Sequence, residues 1–221
     1  MTWLDSPTPA GPSQPGRSSP SVAGFVLAGG RSARMGRNKA LLPYSDTFLV
    51  LFIARAVRAA AGSAVLVGPP DQLAGLGLTV VPDLRPGQGP LAGVEAALAS
   101  TDAEWALIVA CDMPRLSPRL LAGLVSAARS SEADAIVAAS GRGPEPMCAV
   151  WRRRKVLPEV RLALDQGRRK LHDLLSRLHV EQWRSAGGDW FENINTPADW
   201  RRHLEGLALQ PAAAPEGSTD E

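Results

Sequence analysis

Short apolar runs alternate along the chain with longer stretches in which apolar residues recur at helical spacing. Residues 22–27 (Val-Ala-Gly-Phe-Val-Leu) form an apolar run bounded by Pro20 and by Gly29-Gly30. The run is too short for a helix and reads as a buried strand of a parallel sheet. Residues 49–61 are alanine-rich and apolar at a helical period, and Gly62 is placed to end that helix. A brief β run over 64–67 closes at Gly68-Pro69-Pro70, and another covers 78–81. Gly87-Gln88-Gly89-Pro90 reads as a loop, and Pro90 suits the opening of a helix over 91–100. A third apolar strand spans 105–111, a helix follows over 117–129, and further strands lie at 134–139 and 147–151. Strands alternating with helices predict a mainly parallel sheet covered on both faces, a three-layer α/β architecture.

The flanks break this pattern. Residues 1–21 are rich in Pro, Ser and Gly, carry Arg17 as their single basic residue, and lack the apolar segment of a signal peptide. They are expected to be a disordered extension, and residues 206–221, ending Pro-Ala-Ala-Ala-Pro-Glu-Gly-Ser-Thr-Asp-Glu, a disordered tail. One domain is therefore expected over 22–205, and 221 residues suffice for one α/β core. The net charge of +2 supplies no global field for nucleic acid or a membrane surface, so neither is expected as a partner. No stretch approaches the roughly 20 apolar residues of a membrane span. Cys111 and Cys148 form no Cys-x-x-Cys unit and suit a reducing cytoplasm better than a disulfide framework. His172 and His179 have no metal-ligand spacing with other His or Cys.

Ligands of parallel α/β sheets bind beyond the carboxyl ends of the strands, so the residues there carry the chemistry. The first strand delivers Leu27-Ala28-Gly29-Gly30-Arg31-Ser32-Ala33-Arg34-Met35-Gly36-Arg37-Asn38-Lys39. Gly29 and Gly30 let a ligand approach the backbone, and Arg31, Arg34, Arg37 and Lys39 place four cations within nine residues. This is not a Walker loop, because Gly36 is followed by Arg37-Asn38-Lys39-Ala40 rather than Lys-Ser/Thr. Nor does it supply the Gly-x-Gly-x-x-Gly of a dinucleotide site. The 78–81 strand delivers Pro82-Asp83, and the 105–111 strand delivers Asp112-Met113-Pro114. Two carboxylates and a cationic loop at one sheet edge form a nucleotide-and-metal arrangement, and one strand-end Asp suffices for Mg²⁺ shared with phosphate oxygens.

The loop resembles the nucleotidyltransferase signature Leu-Ala-Gly-Gly-x-Ser-x-Arg-Met-Gly-x-x-Lys, and among the branches of that family the likeness is to molybdenum cofactor guanylyltransferase. The resemblance runs over residues 22–205. It also rests on Pro82-Asp83, Gly89-Pro90-Leu91-Ala92-Gly93, Cys111-Asp112-Met113-Pro114 and Asn193-Ile194-Asn195-Thr196-Pro197. It implies a Rossmann-like nucleotidyltransferase fold that transfers GMP from Mg-GTP to the terminal phosphate of molybdopterin, with pyrophosphate released and a guanine dinucleotide cofactor formed. By the same likeness Leu27, Ala28, Gly29 and Gly30 line the guanine nucleotide and Lys39 meets its phosphates. Asp83 contacts the nucleotide, and Asp112 holds both nucleotide and Mg²⁺. Lys39, Arg34 and the Mg²⁺ held by Asp112 are the catalytic groups, neutralising charge in the transition state, while Asn193 and Asn195 face the pterin. Molybdoenzymes or their chaperones are the implied recipients of the product.

The chain departs from the family pattern at Asn38, where Asp is frequent, and at Glu145-Pro146-Met147, where His-Pro-Leu is common; Gly68 stands near a position where some relatives carry Asn. Asn195 or Thr196 ahead of Pro197 also makes a sound helix start. Trp183 and Trp190 are the tryptophans near enough to the Asn motif to stack on a pterin. The alternatives are a CTP-dependent or other phospho-acceptor nucleotidyltransferase of the same fold, or a non-catalytic nucleotide-binding regulator.

Overall fold

The computed structural model describes residues 21–29, 35, 38–185 and 190–208. Strand β1 (Val22–Leu27) is apolar on both faces, so it is stable only where both are covered. Its side chains alternate accordingly: Val26 joins one core, while Phe25 and Leu27 join the other. A 3-10 turn at Lys39–Leu41 leads to the short hairpin of β2 (Pro43–Tyr44) and β3 (Thr47–Phe48). Helix α1 (Leu49–Ala61) buries Leu49, Val50, Ile53, Ala54, Ala56 and Val57, one face of a 3.6 period. Gly62 ends it at φ 80°, a left-handed cap that glycine adopts without a Cβ clash.

After β4 (Val65–Val67), α2 (Pro70–Leu73) and β5 (Val80–Val81) comes α3 (Pro90–Ala99), buried on nearly every side. Next are β6 (Trp105–Ala110), buried throughout, and α4 (Pro118–Arg129), whose Ser117 cap accepts from Leu120 N–H. The chain continues through β7 (Ala135–Ser140), β8 (Gly143–Arg152), α5 (Arg153–Asp165), α6 (Leu171–Leu175), β9 (Val180–Trp183) and α7 (Pro197–Ala208).

The sheet has seven strands in the order β5-β4-β1-β6-β8-β7-β9, and β8 alone runs against the others. Helices α1 and α4 cover one face together with Trp200 of α7; α3, α5 and α6 cover the other. This is the expected three-layer, mainly parallel arrangement. Several features were not read from the pattern: the β2–β3 hairpin, α2, α5, α6, β9 and the length of β8, which begins four residues before the expected 147–151. The proline-containing first half of β8 pairs only with β7. Between Ala149 and Glu145 the register slips, so residues 146–148 form a bulge opposite Val137/Ala138. Helix α7 runs to Ala208, past the expected boundary at 206. Residues 1–20 and 209–221 lie outside the described residues, while Ser21 is tied to the sheet through its carbonyl and the Trp105 N–H.

Gly24 lets β1 and α1 approach closely. A Cβ there would fall 2.3 Å from the Ser63 carbonyl oxygen and 2.5 Å from Val57 Cγ1. We expect Gly24→Ala to cost about 1–3 kcal/mol through overpacking. Thermal melting followed by circular dichroism should show a clear drop in Tm, and a variant melting with the wild type would mean that the α1 layer yields freely.

Candidate active site

The first strand and its neighbours end in a cleft of about 1140 Å³. Leu27 and Ala28, both nearly buried, form part of its floor together with Gly29. The backbone here is tightly laced: Ala28 N–H donates to the Val67 carbonyl, Gly68 N–H to Val81, and Cys111 N–H to Leu27. A Cβ on Gly68 would come within 2.9 Å of the Gly29 nitrogen, so this backbone leaves no room for a side chain at 68. Gly30 and Arg34, two of the expected site residues, lie outside the described residues, as do Arg31 and Arg37.

Lys39 is the best-anchored member of the site. Asn38 caps the turn that presents it, its side-chain oxygen accepting from Ala40 N–H at 3.0 Å while its amide donates to Gln72 Oε1 at 2.6 Å. Asparagine can make both contacts at once; an ionised aspartate could not make the second. Lys39 Nζ reaches Asp112 Oδ2 at 3.0 Å, the Ile194 carbonyl at 3.1 Å and Asn195 Oδ1 at 3.1 Å. Asp112, at the tip of the buried strand β6, is also joined to the Asn motif through its carbonyl, which accepts from Ile194 N–H. Its second carboxylate oxygen makes no hydrogen bond among the described residues.

Asp83 enters the same cleft beside two glycines. A Cβ on Gly29 would lie 3.2 Å from its Oδ2, and one on Gly93 would lie 3.7 Å from its Oδ1. Asp83 has no cation or hydrogen-bond donor among the described residues, and burial pushes its carboxyl above the usual range. Met147 borders the cleft from the bulge of β8, so the bulge re-aims a side chain into the site.

A second cavity, about 960 Å³, adjoins the cleft at Asn195, which lines both. Asn193, Trp190 and the arginines Arg115, Arg142, Arg184 and Arg202 line it. Thr196, not Asn195, caps α7: Thr196 Oγ1 accepts from Asp199 N–H, and Asp199 returns the bond to the Asn195 and Thr196 N–H groups. The cap thus leaves the Asn195 side chain to Lys39. Glu145, where the family pattern has His, is held by Ser140 Oγ at 2.8 Å beside Arg142. Trp183 packs on α4, where a Cβ on Gly123 would meet its ring at 2.5 Å, so only Trp190 reaches a cavity.

The four arginines and the buried Tyr44–His203 hydrogen bond of 3.0 Å escaped the sequence reading. Arg115 alone carried a usable signal, three residues past Asp112 on the same strand-end loop; it pairs with Glu192 at 2.9 Å. Desolvation holds His203 below its ordinary pKa despite Glu192 nearby. No group of three or more metal-ligating His, Cys, Asp or Glu exists among the described residues, and no described helix is long and apolar enough to cross a membrane.

Comparison with known proteins gives one consistent answer. A family model described as the MobA-like NTP transferase domain matches residues 24–182. A probable molybdenum cofactor guanylyltransferase of Carboxydothermus hydrogenoformans is 35% identical over 195 residues, covering 84% of this chain and 96% of the relative. One from Synechococcus elongatus is 34% identical, covering 82% and 97%. The crystal structure of molybdopterin-guanine dinucleotide biosynthesis protein A from Archaeoglobus fulgidus superposes with a TM-score of 0.74 at 26% identity, over 85% of this chain and all of that one.

Asp83 supplies a pH test. Its folded pKa is raised by burial, so its contribution favours the fold at low pH and is lost as pH rises through the folded value. Once ionised, the carboxylate, which has no partner among the described residues, is a net cost. We expect Asp83→Asn to raise the Tm of the ligand-free protein at pH 7, with the gain shrinking as the pH approaches 4. A Tm that falls at pH 7 would mean that Asp83 has a stabilising partner.

Proposed function

The chain belongs to the MobA-like NTP transferase family, and from that premise we propose that it transfers GMP from Mg-GTP to the terminal phosphate of molybdopterin, releasing pyrophosphate. The observation that carries this reading is the meeting of two cavities at Asn195, whose side chain accepts from the same Lys39 ammonium that bonds Asp112 on the cleft side. The larger cleft takes the nucleotide, with Leu27, Ala28 and Gly29 along it. The arginine-lined cavity takes the acceptor, with Asn193 and Asn195 toward the pterin and Trp190 offering an aromatic face. Asp83 is acceptor-only when ionised, which suits the adjacent N–H donors on the guanine edge. Cytosine offers only its amino group there.

Charge explains why a divalent cation belongs in the cleft. A triphosphate beside Asp112 adds several negative charges, and the single ammonium of Lys39 cannot neutralise both. One Asp112 oxygen has no hydrogen bond among the described residues, and one carboxylate plus phosphate oxygens is the donor set Mg²⁺ favours. When bound, Mg²⁺ supplies charge stabilisation on the phosphates and the leaving pyrophosphate. Lys39 turns from Asp112 and Asn195 toward the phosphates, and Arg34 adds a second cation. The acceptor phosphate is already ionised, so attack on the α-phosphorus needs no general base. No histidine lines either cavity. Catalysis is positioning plus electrostatics, as in other phosphoryl transfers. Two buried, unpaired cysteines fit work in the cytoplasm, Cys111 having its pKa pushed up to about 12 by burial and by Asp112. Molybdoenzymes or their chaperones would receive the product.

The test is pyrophosphate release from each nucleoside triphosphate with molybdopterin and Mg²⁺. We expect GTP to be preferred over CTP, and Gly29→Ala, whose methyl group presses toward Asp83, to lower the GTP/CTP ratio of kcat/KM roughly tenfold or more. Preference for CTP in the wild type would overturn the guanine assignment. Lys39→Ala should weaken GTP by about 1.5–3 kcal/mol in calorimetry and guanosine far less; equal losses would remove Lys39 from the phosphates.

A further inference from the structure

The loop that carries Asp83 is fastened from beneath by buried charge. Two residues on, the Arg85 carbonyl accepts from Gln88 N–H at 3.3 Å, closing a turn with Pro86 and Gly87 at its centre. Gly87 has φ 80°, as the third position of a type II turn requires. The Arg85 side chain leaves this turn toward the helices, placing Nε 3.0 Å from Glu95 Oε2 and a terminal nitrogen 2.6 Å from Asp165 Oδ1. Arg161 Nε approaches the other Glu95 oxygen at 3.4 Å.

Glu95 is 3% exposed, on a helix whose other buried residues are Leu, Ala, Gly and Val. An apolar residue there would spare the chain the desolvation of a carboxylate, which ion pairing offsets incompletely. The contact with Arg85 is ionic rather than an aligned hydrogen bond, since Oε2 makes none. Stability therefore does not account for a charge at this position. What the pair does is tie the loop bearing Asp83, Pro86, Gly87 and Gly89, all bordering the cleft, to α3 and through Asp165 to α5.

We propose that Glu95 is a positioning residue for nucleotide recognition: through Arg85 it fixes the turn that holds Asp83 at the cleft. This rests on the reading of the cleft as the nucleotide site. A loop held only by its own turn would let Asp83 drift, and an unpaired carboxylate selects a base only when it is fixed.

Glu95→Gln keeps the shape and removes the charge. Arg85→Gln breaks the pair from its more exposed side and leaves Glu95 with Arg161, so it serves where the first variant folds poorly. Each should raise the Kd and KM for GTP roughly tenfold, with kcat within about twofold, while the Kd of inorganic tripolyphosphate with Mg²⁺ stays put. In an Asp83→Asn background Glu95→Gln should have no further effect on GTP affinity. A lowered Tm with an unchanged GTP affinity, or equal losses for GTP and tripolyphosphate, would overturn the proposal. If Asp83→Asn costs GTP affinity and neither Glu95→Gln nor Arg85→Gln does, the proposal alone fails. If Asp83→Asn costs none, the nucleotide reading of Asp83 fails and takes this proposal with it.

Discussion

Lys39 draws together parts of the chain that are far apart in sequence. Its ammonium bonds to Asp112, 73 residues on, and to Ile194 and Asn195, more than 150 residues on. Lys39 and Asp112 are both largely withdrawn from water, so their attraction is screened less than that of a surface pair. The turn capped by Asn38, the tip of β6 and the segment before α7 are held in one place by this contact. The cleft and the arginine-lined cavity share a wall because Asn195 is held here. Under the proposed function, the cation that satisfies this carboxylate is also the one that a phosphate would recruit.

The two cavities are unlike in their electrostatics. Three of the four arginines lining the second cavity have a carboxylate beside them: Glu192 beside Arg115, Glu145 beside Arg142, Asp199 beside Arg202. The cleft holds an unpaired carboxylate, Asp83, in a half-buried position between two glycines. An unpaired buried charge in the folded protein is a cost, and sites that bind by charge or hydrogen bond are where such costs persist. Glycine at 29 and 93 keeps the space around it open, and the Arg85–Glu95 tie keeps it in place.

Much of the fold could be read from the sequence because it is built on simple periods. The apolar runs of β1 and β6 have no polar face to hide and read as buried strands; α1 and α4 show helical spacing with clear caps. Strand β8 was only half legible. Pro144 and Pro146 argue against a central strand, and the structure reconciles them by pairing that half on one side only and bulging at 146–148. The strand-end rule located Lys39, Asp83 and Asp112, because strand ends are local in sequence. It could not locate the second cavity, whose arginines come from four separate segments brought together by the fold. Glu95 left a trace, a lone charge inside Val94-Glu95-Ala96-Ala97-Leu98, but its partner Arg161 is 66 residues away and nothing local links them.

The insertion of β8 between β6 and β7 bears on how the protein is made. While the chain is being synthesised, β7 emerges before β8, yet β8 is the strand that must occupy the edge of β6. Hairpin closure takes roughly 1–10 μs, whereas the ribosome adds about 5–20 residues per second. The β7–β8 hairpin can therefore close on a far shorter timescale than synthesis, although it gains lasting stability only against β6. Its place in the sheet brings Met147 to the cleft and Ser140 and Arg142 to the second cavity. Both cavities thus take part of their walls from one hairpin, so the same pairing event shapes the two together.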